Sequence, residues 1–174
     1  MTADEPPNEP GATPQLITPI CDEGVIEQER LRQLWQLWRD ACNGDRLPGR
    51  ELVDPLKLRF LIGMVTIFDI LPGPPYFTYR LLGQEIVDRI GFELTGKPLD
   101  AHPDPMRRAV IFQALSRVRD ERKPMRLYYP IAFRDIRLAH EAILMPIVDG
   151  ESNVIQALCG QVIPENAPRW RAKS

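Results

Sequence analysis

From Met125 to Phe133 the chain alternates without a miss. Met125, Leu127, Tyr129, Ile131 and Phe133 take one side; Arg126, Tyr128, Pro130, Ala132 and Arg134 take the other. A period of two sends successive side chains to opposite faces, so this segment reads as a strand with one buried face. Pro130 has no N–H to give to an inner ladder and marks an edge position. Two further strand-like runs follow at once, Leu138 to Val148 and Asn153 to Ile163, around the turn residues Asp149-Gly150-Glu151-Ser152, and Pro164 closes the set. Strands joined by connections this short pair antiparallel.

The same period appears upstream. Val65 to Leu71 and Tyr76 to Leu82 are rich in β-branched and aromatic residues and flank Pro72-Gly73-Pro74-Pro75, which predicts a hairpin. The remaining patterned segments are helical. Leu31, Leu34, Trp35, Trp38 and Ala41 share one face of a helix from Glu27 to Cys42, stopped by Asn43-Gly44. Asp54-Pro55 opens a short helix through Leu61, Gln84 to Ile90 forms another, and a longer one runs from Asp104 to Arg122. Only helices separate the second strand from the third. The expected fold is therefore α+β: a five-stranded antiparallel sheet with helices on one face and an N-terminal amphipathic helix.

Composition narrows the function. Lys and Arg number 22 against 24 Asp and Glu, so the overall charge of -2 favours neither nucleic acid nor an anionic membrane as partner. The longest apolar stretch, Phe60 to Leu71, is interrupted by Asp69 and is about half of a bilayer span. Pro6, Pro7, Pro10, Pro14 and Pro19 fall in a segment with acidic but no basic residues, unlike a signal or transit peptide, and a cytoplasmic, bacterial-type address is expected. Cys21, Cys42 and Cys159 are odd in number and lack CxxC spacing, which predicts free thiols and neither disulfide nor zinc.

No catalytic constellation stands out. His140 and Glu141 are the most tempting acid/base pair, but neighbours on a strand project to opposite faces and cannot converge on one atom. His102 reads as a loop or cap residue with no third ligand at metal spacing. Ser116, Ser152 and Ser174 lack a nucleophile elbow, and the glycines form no dinucleotide or phosphate loop. Arg107, Arg108, Arg117, Arg119, Arg122, Lys123 and Arg126 cluster around the long helix; a solvated face outweighs an anion-binding patch.

Four segments, in order, resemble a divergent bacterial PAS-domain family. The run Phe77-Thr78-Tyr79-Arg80-Leu81-Leu82-Gly83-Gln84-Glu85-Ile86 is similar to its FxYRLxGxxI motif, and Glu93-Leu94-Thr95-Gly96-Lys97-Pro98-Leu99 to its LTGKPL segment. Glu141 to Ile147 followed by Asp149-Gly150 resembles its ExxLMPIxDG hairpin, and the tryptophan helix with Leu47-Pro48-Gly49-Arg50 and Asp54-Pro55 its opening. The resemblance covers about Leu31 to Pro164. It implies a sensory or scaffolding module that encloses a small ligand and has no catalysis. It brings no cofactor: the helix from Gln84 to Gly91 lacks the cysteine of flavin photosensors, and the long helix lacks the histidine of haem-binding relatives. The chain then divides into a disordered Pro-rich tail (1–24), the amphipathic helix (25–46), a PAS-like domain (47–164) and a basic tail (165–174).

The expected function is a stand-alone sensory or protein-interaction module in bacterial signalling, taking a small apolar ligand or a protein partner. Phe68, Tyr79, Arg80, Ile86, Ile90, Tyr129, His140 and Met145 are the pocket candidates. Leu31, Leu34, Trp35 and Trp38 are too apolar a stripe to leave wet and are candidates for a homodimer interface, with the helix's own sheet as the competing cover. Asp69 and Arg80 are expected to pair across the first hairpin. The runner-up function is a small-molecule enzyme on a cone-shaped α+β scaffold using His140 or Glu141; a nucleic-acid or nucleotide binder built on the arginines comes third.

Overall fold

In the computed structural model, which describes residues 16–133 and 136–166, with only the backbone of 130–133 and 136–139, the alternating segment is the strand β4 (Met125–Phe133). It is preceded by β1 (Ile17–Pro19), α1 (Glu29–Ala41), β2 (Val65–Ile70), β3 (Phe77–Leu82), α2 (Gln84–Ile90) and α3 (Pro105–Glu121), and followed by β5 (Ile136–Val148) and β6 (Val154–Val162). The strands form one antiparallel sheet in the order β1-β4-β5-β6-β2-β3. The helices α2 and α3 interrupt the sheet in sequence, and β6 closes it by pairing with β2 in the middle.

Local chemistry explains the boundaries. Asp104 caps α3 by accepting from the N–H groups of Met106 and Arg107, with Pro105 in the first turn where no N–H is missed. The β5–β6 turn is tied by Asp149 Oδ1, which accepts from the N–H groups of Glu151 and Asn153 at 2.9 Å each. Between Gly83 and Gly63 the backbones touch: a Cβ at Gly83 would collide with the Gly63 carbonyl, which accepts from Glu85 N and Ile86 N at the start of α2. The short helix expected from Asp54 to Leu61 is instead a set of turns ending in one 3-10 turn, Arg59–Leu61.

The strand count is corrected. There are six strands, not five, because Ile17, Thr18 and Pro19 pair with Leu127, Arg126 and Met125; paired chain thus reaches into the segment read as a tail, of which 1–15 lies outside the described residues. Three residues cannot show a period, and neighbouring prolines hid them. The helices within the domain lie on one face, as expected, and the N-terminal helix takes the other. α2 and α3 cover one side of the sheet, over Phe68, Phe77, Tyr79, Leu127, Leu144 and Cys159. α1 covers the other, over Val65, Ile67, Ile143, Met145, Ile147 and Leu158.

Among the described residues, β1 covers only the first part of β4. Tyr128 N donates to Leu16 O, the last backbone bond on that side among the described residues, and from Tyr129 onward β4 has no described neighbour there. Pro130 lies on this stretch, as its missing donor requires.

Candidate functional site

The stripe on α1 is covered by the chain's own sheet. Leu31 and Leu34 are 0% exposed, Trp35 4% and Trp38 7%, and Trp38 Nε1 donates to Pro146 O on β5 at 2.9 Å. Gly160 on β6 permits the approach, since a Cβ there would strike Leu34. These four residues are therefore core, and they offer no surface to a second chain. The physical reason is that the sheet face carrying Ile143, Met145, Ile147 and Leu158 is itself apolar and nearer.

On the opposite face, β2, β3, β4, β5 and β6 with α2 and α3 enclose a cavity of about 60 Å³. Its apolar wall includes Phe68, Tyr79, Leu82, Ile86, Ile90 and Leu127; Phe68 and Tyr79 pack ring to ring at 4.8 Å. Its polar end gathers Thr66, His102, Arg107, Tyr129, His140 and Gln161. Six of the eight pocket candidates are present. Met145 is not, because odd-numbered residues of β5 face α1, and Arg80 is not, because its side chain is 67% exposed beyond the bulge between Ile67 and Phe68. Two larger depressions, about 720 and 750 Å³, are open surface grooves without a buried polar end.

Alternation on β5 separates His140 from Glu141, as the sequence requires. Glu141, 1% exposed, accepts from Arg126 Nε at 2.6 Å and from the N–H groups of Glu27 and Gln28 at 3.0 and 2.8 Å, so its carboxylate holds the start of α1. His140 faces the cavity. Its Nε2 lies 2.9 Å from Gln161 Oε1, and Gln161 Nε2 donates to Thr66 Oγ1 at 3.0 Å. With the amide turned this way, Nε2 carries the hydrogen and Nδ1 keeps its lone pair. Burial, helped by the Arg107 guanidinium, pushes the His140 pKa down to about 4. Burial raises the Tyr129 phenol to about 12 and the Cys159 thiol to about 12, leaving both protonated at neutral pH. An acid/base pair on one substrate atom is not formed.

Arg107 was missed as a cavity residue because it sat within a basic cluster. The other arginines of that cluster are engaged: Arg108 with the carbonyls of Asp100 and His102, Arg117 with Glu121, Arg119 with Asp120, Arg122 with Ser152 O and Arg126 with Glu141. Gln161 and Thr66 were also missed. The readable signal was Gln161, a polar residue two positions after Cys159 on the inward face of β6. Among the described residues no group of His, Cys, Asp and Glu could hold a metal ion, and no helix is long and apolar enough to cross a membrane.

A family model described as PAS domain matches residues 26–161. No curated protein matches the chain. Solved structures similar to it include a light-oxygen-voltage domain studied with a flavin analogue (18% identity, 67% of this chain and 90% of that one, TM-score 0.44). Two others are the PAS domain of Bordetella pertussis BvgS (17%, 59% and 77%, 0.44) and the N-terminal domain of a diguanylate cyclase with PAS/PAC sensor from Marinobacter aquaeolei (11%, 56% and 93%, 0.40).

Proposed function

Because the chain belongs to the PAS domain family, a family of sensory modules in signalling, we propose that it acts by holding a small ligand between its sheet and the helices α2 and α3, without catalysis. The observation that carries this reading is the cavity with an apolar wall and one polar end. At about 10–15 Å³ of such space per water, it has room for about four to six non-hydrogen atoms. The reading without catalysis is supported by the separation of His140 from Glu141 and by the engagement of Glu141 in holding α1. Output then passes to a partner through a shift between two populations, the cytoplasm being the compartment we assign. The homodimer proposed from the α1 stripe loses that stripe to the core.

Native mass spectrometry of the freshly purified full chain tests the proposal, together with methyl NMR in the presence of 1-butanol as a neutral apolar probe. Retained small-molecule mass, or butanol shifts confined to Ile86, Ile90 and Leu127, is the expected result. A chain that carries nothing and whose cavity methyls do not respond leaves only the interaction-module version of the family's role.

A further inference from the structure

Arg107 is a guanidinium at the wall of a largely apolar cavity, and its partners are all distant. Asp104 Oδ2 lies 3.8 Å from its Nε, His140 Nδ1 lies 3.5 Å from its Nη1, and its flat face rests over the Tyr129 ring at 5.2 Å. Among the described residues its guanidinium makes no hydrogen bond shorter than 3.5 Å, although it has five N–H donors. Every other arginine around α3 has a near acceptor. Next to it, the Nδ1 lone pair of His140 also points at this corner, because Gln161 holds the Nε2 side. The corner therefore offers N–H donors that no near protein acceptor engages among the described residues, beside a proton-accepting nitrogen.

We propose that the cavity selects short monocarboxylic acids, with the carboxylate on Arg107 beside His140 Nδ1 and the alkyl tail against Ile86, Ile90 and Leu82; this rests on the ligand-holding function proposed above. A carboxylate satisfies a guanidinium through parallel charge-assisted hydrogen bonds, which a neutral amide or alcohol of the same size cannot match. The cavity's volume limits the acid to about four to six non-hydrogen atoms, the size of propionate or butyrate. Cations are disfavoured by Arg107 itself.

The second signature is a proton. A carboxylate oxygen facing the Nδ1 lone pair is repulsive until one proton lies between them, so binding near neutrality takes up a proton. The groups facing His140 are Arg107 from α3, Tyr129 from β4, and Gln161 and Cys159 from β6, with His102 lining the cavity from the loop before α3 and Tyr79 from β3. Tyr129 and Cys159 are already protonated in this range, and His102 Nδ1 already accepts from Asp104 N at 3.1 Å, which leaves His140 Nδ1 as the acceptor.

The experiment titrates the full chain with butyrate, butyramide and 1-butanol by methyl NMR. Calorimetry in buffers of different ionisation enthalpy counts protons. Expected is butyrate binding about tenfold or more tighter than butyramide, with proton uptake, and loss of that preference in Arg107→Gln with partial retention in Arg107→Lys. A cooperative thermal transition by circular dichroism reports that both variants fold. Butyramide or butanol binding as well as butyrate, or a preference that survives Arg107→Gln, overturns the carboxylate assignment and leaves the ligand cavity standing. Failure of all three probes overturns both readings.

Discussion

His140 carries its imidazole into the sheet's interior as a neutral ring, and that choice has a pH signature. Its folded pKa of about 4 lies below the ordinary value of 6.5, so the unfolded chain takes up a proton first as pH falls. Stability contributed by the neutral ring is intact above 6.5, declines between 6.5 and 4, and amounts to about 3 kcal/mol over that window. Urea unfolding from pH 7.5 to 4.5 should show this loss in the wild type, and His140→Gln should flatten the slope across the same range. A second residue-scale prediction concerns Asp69. Arg80, largely exposed, approaches it only to 3.9 Å, whereas Gln156 Nε2, on the strand directly opposite, donates to it at 2.8 Å. Double-mutant cycles should give a coupling of about 0–1 kcal/mol for Asp69 with Arg80 and about 1.5–3 kcal/mol for Asp69 with Gln156. The hairpin pair was legible in the sequence because both residues lie near one turn. The stronger partner was not, since Gln156 is separated from Asp69 by most of the domain.

At the scale of elements, the strand β5 serves two layers at once. From His140 to Val148 every residue is buried, and before the register shift at Ile147 the even positions His140, Ala142 and Leu144 face α3 while the odd positions Ile143, Met145 and Ile147 face α1. The continuous apolar run from Ala142 to Val148, unlike the strict alternation of β4, is the pattern of a strand covered on both sides. That difference was present in the sequence and would have placed α1 on the opposite face. The assignment of Met145 to the pocket failed for the same reason, by a shift of one residue in parity. Glu141 is where β5 grips α1. Removing the carboxylate strands the N–H groups of Glu27 and Gln28 and leaves Arg126 with only the more exposed Glu27. Glu141→Ala should therefore cost about 3–5 kcal/mol. Hydrogen exchange should show protection lost at the start of α1 before the rest of the molecule, while α3 keeps its protection.

For the whole molecule, helix spacing identified α1, α2 and α3 and the strand periods identified five of six strands, because each of those segments is long enough to display its own period. What covers a face is a question of which apolar surfaces are near each other in space, and periodicity is silent on that. The consequence is testable with Trp35→Glu/Trp38→Glu: since both rings are core and Trp38 is tied to Pro146 O, the variant should lose its cooperative thermal transition instead of becoming a smaller folded species by light scattering. A folded, lighter variant would return the stripe to an interface. The short reach of β1 has an outcome of another kind. Tyr128 turns its N–H toward β1, so residue 130 presents its backbone to the same side, where the sheet has run out of described neighbours. Proline at that place withholds the donor with which a passing extended chain would start a new ladder. Whatever extended chain meets this margin of β4, a ladder laid along residue 130 lacks one donor, so the proline weakens growth of the sheet by recruitment of a second molecule.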